Sequence, residues 1–222
     1  MQPHFMPWMG YFNLIRSSDI FIFLDDAQFE KQSWQNRNRL LVNNAEFWLS
    51  APIIKHPLIK KINETRLDLT RNWHQKTLMT LHNTYKKREY FFQIEPILEI
   101  FEKEDDSLLN LNLTIINIIV NALNLDAKFF LSSEFNVEGV RTEKLINLLD
   151  RVQAKKYLSP LGSKEYLEQD NFLSKTDCEL EFQNFNSIKY NKISSVASNN
   201  HLSIIHYLAN YSFEDIINEL II

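Results

Sequence analysis

Four short stretches of this sequence carry residue types that could do chemistry. The first runs Gln2-Pro3-His4-Phe5-Met6-Pro7-Trp8-Met9-Gly10-Tyr11. Its two prolines, tryptophan and glycine specify a rigid, non-repeating loop. The apolar run from Tyr11 to Ile15 then begins a helix, and the unpaired N–H groups of a helix start attract anions. His4 could neutralise a phosphate there, or act as acid or base near pH 7. The same residues also suit a packed Pro-Trp turn with an exposed histidine.

The second stretch, Asp25-Asp26-Ala27-Gln28-Phe29, follows directly on the apolar run Ile20 to Leu24. In open α/β sheets ligands bind beyond the carboxyl ends of strands. Paired carboxylates at such a point could hold Mg²⁺ or take up a proton, with Gln28 orienting a substrate. Taken alone, a strand-terminating turn with one aspartate capping backbone amides is the simpler account of them. The third stretch, Trp34-Gln35-Asn36-Arg37-Asn38-Arg39, sets two arginines two residues apart among three amides. Arginine makes two-pronged contacts to phosphate or carboxylate, and amides read sugar hydroxyls and base edges. The adjacent Trp34 and Leu40-Leu41-Val42 argue against a merely solvated turn. The fourth, KYLSPLGSKEYL from Lys156 to Leu167, ends a strand at Ser159 and turns through Pro160 and Gly162. It fits a ligand loop or an ordinary strand-to-helix turn.

Weaker candidates are His201 and His206, five apart and off one helical face, and His74 and His82, eight apart. No HExxH, CxxC or GxSxG motif occurs. The three glycines, Gly10, Gly139 and Gly162, exclude a phosphate loop of the P-loop type and a GxGxxG fingerprint. A chain so poor in glycine keeps one where the backbone needs a positive φ or a close approach.

The elements that must position these stretches follow from apolar patterning. Ile20–Leu24 reads as a buried strand, Phe47–Ile54 as a second one limited by Pro52, and Thr65–Leu69 as a short one. Lys128–Ser132, Lys156–Ser159 and the alternating Glu179–Phe185 complete the strands. Helical spacing covers Arg71–Ile100, with Trp73, Thr77, Leu78, Leu81 and Tyr85 on one face, and then residues 107–124. It also covers Thr142–Gln153, Glu165–Leu173 and Leu202–Leu220. Strands alternating with helices predict an α/β fold with a mostly parallel, doubly wound sheet. Residues 1–70 and 126–222 would form the sheet domain, and 71–125 a helical insertion. The first strand of such a sheet is missing, or Met1–Phe5 supplies a rudimentary one.

The 222 residues suffice for one such domain, and 45% of them are apolar. The 24 basic and 28 acidic residues leave a net charge of −4, which excludes nucleic acid as the main partner. One cysteine, Cys178, can build neither an internal disulfide nor a thiolate zinc site. No signal peptide is expected. The most apolar run, Leu108–Leu125, is interrupted by five asparagines, whereas a membrane span takes about 20 mostly apolar residues. A cytoplasmic protein without a membrane span follows.

QPHFMPWMGYF, SDIFIFLDDAQF and SWQNRNRL together resemble the opening of the WbqC-like family of bacterial surface-polysaccharide (O-antigen) loci. Looser likeness extends through FWLSAPI, FFLSSEF, KYLSPLGSKEYL and HLSIIHYLAN. The chain departs from the family at its start, where relatives carry a few more apolar residues. It departs again near 188–201, where Lys189-Tyr190-Asn191 and Asn199-Asn200 replace aromatic-Gln and Phe-Pro features. The order Gly10-Tyr11, Ser18-Asp19, IFIFL, Gln28-Phe29 is also similar to HIGH-motif nucleotidylyltransferases, which implies a Rossmann-like sheet.

The resemblance implies a role in polysaccharide biosynthesis, as a transferase or ATP-dependent ligase that acylates a nucleotide-linked amino sugar, for instance with an amino acid. His4, Asp25 and Asp26 would then be the reacting groups. Gln2, Pro3, Trp8, Gly10, Tyr11, Gln28, Gln35, Asn36, Arg37, Asn38, Arg39, Ser159 and Gly162 would line the substrate site. ATP and Mg²⁺ are implied if the acid must first be activated. The rivals are a non-catalytic sugar-nucleotide-binding partner of a pathway enzyme, and a glycosyltransferase. The Asp-x-Asp motif of the latter is replaced by adjacent Asp25-Asp26.

Overall fold

β-branched and aromatic runs form the strands, as their composition dictates. The protein is seen as a computed structural model that describes residues 1–56, 59–103, 105–185 and 201–221. Strands β1 (Ile20–Phe23) and β4 (Lys128–Leu131) pair in parallel, as do β5 (Lys156–Ser159) and β6 (Glu179–Phe182). Between them in sequence, β2 (Arg37–Val42) and β3 (Ala45–Ser50) form an antiparallel hairpin. Its two-residue turn places Asn43 and Asn44 at φ 49° and 61°. Both are left-handed, a conformation asparagine tolerates and a tight hairpin requires.

The α/β class and the parallel pairing are as expected, but the described strands form three separate two-stranded sheets rather than one doubly wound sheet. Four-residue strands offer few ladder rungs, and side chains bridge the pairs instead: Gln183, just past β6, donates to the Gly10 carbonyl at 2.7 Å. The expected rudimentary first strand is a single residue. The Met1 nitrogen donates to Ile22 O and its carbonyl accepts from Leu24 N, which is the parallel pattern around Phe23. Thr65–Leu69 makes only isolated bridges, Ile53 to Leu67 and Arg66 to Ser107. Arg37–Val42, read from its arginines and amides as a polar segment, is a strand.

Eight α-helices occur among the described residues: α1 (Met9–Arg16), α2 (Trp73–Tyr85), α3 (Glu95–Leu98), α4 (Leu108–Ala122), α5 (Thr142–Arg151), α6 (Lys164–Gln169), α7 (Ile204–Asn210) and α8 (Phe213–Glu219). Helix α2 buries Trp73, Thr77, Leu81 and Tyr85, the stripe its spacing predicts. Helix α4 starts where the Ser107 hydroxyl accepts from Asn110 N. The C-terminal run is not one helix; it breaks at Tyr211-Ser212, where Ser212 caps α8. None of the helices is long and apolar enough to cross a membrane.

Side chains of α1, β1, β2, α2, α4 and α7 share one continuous core, to which residues 71–125 contribute Trp73, Leu81, Tyr85, Ile115 and Ile119 among others. A smaller core gathers Ile146, Leu149, Leu167, Phe172 and Cys178 around β5 and β6.

The N-terminal loop is irregular yet buried, so its carbonyls must find donors within the protein. Side-chain amides supply them. Asn38 donates to Phe5 O and Met6 O at 3.1 and 2.8 Å. Asn112 of α4 donates to Pro3 O and Gln35 O at 3.2 and 2.8 Å. Gln35 donates to the Gln2 side chain and to Gln28 O, and accepts from Glu30 N. Replacing Asn38 by Ala strands two buried carbonyls, which should lower unfolding stability by about 2–4 kcal/mol in denaturant titration.

Two buried histidines are held neutral. Burial lowers His4 to about 3, and burial with the Arg88 charge lowers His206 to about 4. Between those values and an ordinary histidine near 6.5 the unfolded chain binds more protons, so stability falls as pH drops through this window. The expected slope is up to about 1.4 kcal/mol per pH unit for each histidine. Thermal melts from pH 7 to 4 should show it, and His206→Phe should flatten it.

Candidate functional site

Adjacent aspartates at the end of β1 have opposite surroundings. Asp25 is 1% exposed. One of its oxygens accepts from Ser133 N at 3.0 Å and Ser132 Oγ at 3.2 Å. The other accepts from Ser133 Oγ at 2.7 Å and Asn63 Nδ2 at 2.9 Å. All its lone-pair directions are in use, and it ties β1 to the end of β4 and to the turn at Ile62–Glu64. Asp26 points outward from the same strand end, bonds the Ser132 hydroxyl through one oxygen and pairs with the Lys144 ammonium through the other. Its side chain stays 14% exposed. Burial pushes this carboxyl up, but the hydrogen bonds from Lys144 and Ser132 and the Lys144 charge outweigh it and hold it below the usual value.

Lys144 sits in the first turns of α5, which is delivered by a sharply turned loop. Asn136, Gly139 and Arg141 all have positive φ there, and Arg141 (φ 51°, ψ −121°) lies outside the ordinary left-handed well. Strain of this kind persists where the surrounding structure enforces it. Neither Lys144 nor Ser132 stands out in sequence, since a lysine on an amphipathic helix and a serine after a strand are commonplace. The FFLSSEF segment was the one hint.

The other expected site residues divide into three groups. Gln2, Pro3, Gln35 and Asn38 serve the amide network through side chain or carbonyl, and Gln35 and Asn38, each 1% exposed, turn inward. Asn36 donates to Ala51 O, leaving its Oδ1 buried without a partner. His4 is buried against the Tyr11 ring, and neutral, not an exposed cation. Tyr11 is fully buried and donates to Gln2 O. Gly10 is needed for close approach, because a Cβ there would lie 2.1 Å from the Trp8 ring. Met9, Gly10 and Tyr11 are all buried, so the start of α1 is no open anion cradle.

The second group lies apart. Ser159 is buried, sharing its hydroxyl with Ser163, and its carbonyl accepts from Gln183 N. Gly162 is exposed in open space. Gln28 is exposed and, with Phe29, Ile54, His56 and Lys60, lines a groove of about 410 Å³.

The third group forms a face of rings and cations. Arg37 and Arg39 share one side of β2, with Trp48 directly across from Arg39. The Arg37 guanidinium lies 4.2 Å from the Trp48 ring centroid, and Arg39 lies 5.4 and 5.6 Å from Trp34 and Trp48. Arg39 also pairs with Glu46 at 3.2 Å. Trp8 joins through His201, whose ring is 4.7 Å from Trp8 and 6.5 Å from Trp34. Desolvation and the Arg39 charge lower the His201 pKa. A backbone clasp brings these segments together: Ser203 N donates to Arg39 O and Ile204 N to Pro7 O, both at 2.8 Å.

Among the described residues, no hydrogen bond or ring contact links Asp25 or Asp26 directly to this face. Gln35 relates them, being next to Trp34 and bonded to Gln28 O, two residues past Asp26. Lys189-Tyr190-Asn191 and Asn199-Asn200 lie outside the described residues.

A sequence profile of the WbqC-like protein family matches residues 2–218. An uncharacterized protein of Mycobacterium tuberculosis is 30% identical over 175 residues, covering 78% of this chain and 75% of that protein. No solved structure matches.

Asp26 carries its lowered pKa only when folded. Its pairing therefore stabilises the fold above an ordinary carboxylate's pKa of 3.8, and that contribution is lost as pH falls through the folded value. Lys144→Met should cost about 1–3 kcal/mol at pH 7, measured by denaturant unfolding. The deficit should shrink below pH 3.8, whereas a lysine acting only through its aliphatic stem would leave it constant.

Proposed function

Because this chain belongs to the WbqC-like protein family, we propose that it is a cytoplasmic transferase or ligase of bacterial surface-polysaccharide biosynthesis, acylating the amine of a nucleotide-linked sugar. The observation that carries this reading is the Asp26–Lys144 pair at the carboxyl end of a parallel strand, with Ser132 as its third member. The two parallel pairs with helices between their strands are read as a reduced Rossmann-like sheet, in which strand ends are the habitual place for chemistry.

Acyl transfer to an amine forms a nitrogen–carbon bond, breaks the bond from the acyl carbon to its leaving group, and frees one proton from nitrogen. An ionised Asp26 can take that proton, and Lys144 can offset the charge developing on the acyl oxygen or leaving group. Asp25 holds the strand end in place and does not react. ATP with Mg²⁺ is the co-substrate implied when the acid is activated in place. Of the two carboxylates, Asp26 alone is exposed enough to meet it.

The protein should convert a nucleotide-linked amino sugar and an acyl donor, either an activated acyl group or an amino acid with ATP and Mg²⁺, into the N-acyl product, followed by mass spectrometry. Asp26→Asn should lower kcat at least about 100-fold with an unchanged circular dichroism spectrum. Full turnover in that variant would refute the assignment. One observation favours a second reading, a non-catalytic sugar-nucleotide-binding partner: of the three expected reacting groups, Asp26 alone is neither buried nor fully bonded. Binding without turnover, for every donor tried, would support it.

A further inference from the structure

We infer that the face formed by Trp8, Trp34, Trp48, Arg37, Arg39 and His201 seats the nucleoside diphosphate portion of the substrate, with the base stacked on indole and the diphosphate on the arginines. This rests on the reading that the substrate is nucleotide-linked, and it assigns the nucleotide to a place apart from the Asp26–Lys144 pair.

Three of the chain's four tryptophans meet on this face from three separate segments. Trp48 leaves 42% of its surface in water. An indole held open beside two guanidiniums has an apolar plane and adjacent positive charge, which match a base and its phosphates. The chain as a whole carries a net charge of −4, so the two arginines do not belong to a generally basic protein.

The second line of argument comes from polar atoms without partners. Among the described residues, Arg37 Nε and Arg39 Nε are buried and have no hydrogen-bond partner. Arg39 is 9% exposed, and among the described residues its one ionic partner is Glu46. Buried donors are nearly always satisfied in native proteins, so stranded ones mark a place where something else binds. Phosphate oxygens are acceptors that suit the planar guanidinium. Cation–π contact with Trp48 already aims Arg37, and the hairpin turn and the Ser203 clasp hold both strands, so little ordering is left for the ligand to bring about.

A self-contained ring-and-arginine cluster that merely stabilises the hairpin, and a platform for a free glycan, are the competing accounts. Intrinsic tryptophan fluorescence separates them, with Trp73→Phe used to remove the one indole outside the face. The full chain would be titrated with UDP, dTDP, ADP, a UDP-linked amino sugar, the free amino sugar, a neutral oligosaccharide and inorganic phosphate. Saturable quenching is expected with the nucleoside diphosphates and the nucleotide sugar, and not with phosphate or free sugar. Trp48→Ala and Arg37→Ala should each weaken binding at least about tenfold. Arg37→Lys should recover only part, because lysine keeps the charge and loses the fork. Asp26→Asn should bind as the parent does.

Absence of quenching by every nucleoside diphosphate, unchanged affinity in a folded Trp48→Ala protein, or quenching by oligosaccharide alone would each overturn the assignment. Acyl transfer that survives Trp48→Ala and Arg37→Ala intact would place the nucleotide elsewhere while leaving the proposed reaction standing. Quenching without transfer would do the reverse.

Discussion

A buried loop without regular structure has to satisfy its backbone, and in this protein that requirement organises everything near the N-terminus. Residues 2–8 make no helix or sheet of their own beyond one bridge, yet Pro3, His4, Phe5, Met6 and Pro7 are buried. The carbonyls of Pro3, Phe5 and Met6 would be stranded without Asn38 and Asn112. Asn38 lies on β2 and Asn112 on α4, so the same hydrogen bonds that satisfy the loop also dock the hairpin and the central helix onto it. Gln35 extends the network to Gln2 and Gln28. An apolar replacement at any of these three positions would leave acceptors dry, so the amides are there for the fold before any ligand is considered.

That scaffold carries two chemically distinct regions. At the ends of β1 and β4, two neighbouring carboxylates receive different roles from their environments. Four donors consume Asp25, while Asp26 keeps partial exposure and a lysine partner from 118 residues further along the chain. On the hairpin, alternation along β2 sends Asn38 and Leu40 into the core and Arg37 and Arg39 to the other side, where Trp48 meets them. A one-residue change of register would exchange these faces and destroy both the loop's support and the arginine face. The Leu202–Ser203 clasp then joins the hairpin to the Trp8 loop across most of the chain's length.

Much of the architecture was legible from patterning. Strands at Ile20–Phe23, Lys128–Leu131 and Lys156–Ser159, and the buried stripe of α2, follow from local composition and spacing, because each can be recognised from its own residues. The strand Arg37–Val42 was not, since its arginines and amides look like a loop until the core face of Asn38 and Leu40 is seen. Sheet continuity is not legible in patterning: alternating elements imply parallel pairing, and the described strands stand in three separate pairs. Of the expected site residues, Asp26, Trp8 and Arg37 are partly exposed, Gln28 and Gly162 are exposed, and Arg39 is buried beside Trp34 and Trp48. His4, Asp25, Gln35 and Asn38 proved to be interior groups with assigned partners.

By itself the sequence determined the kinds of elements and the segments in which functional groups are concentrated, because side-chain periodicity and turn chemistry act over a few residues. It also carried the motifs of the family. Tertiary structure alone decided which of two adjacent aspartates keeps an open face, that Lys144 is its counter-ion, and that Trp48 and His201 join Trp8 and Trp34. Those outcomes depend on contacts between segments distant in sequence, the Asp26–Lys144 and Trp8–His201 contacts spanning more than a hundred positions, and desolvation and pairing at such contacts are properties of the assembled fold rather than of any stretch of chain.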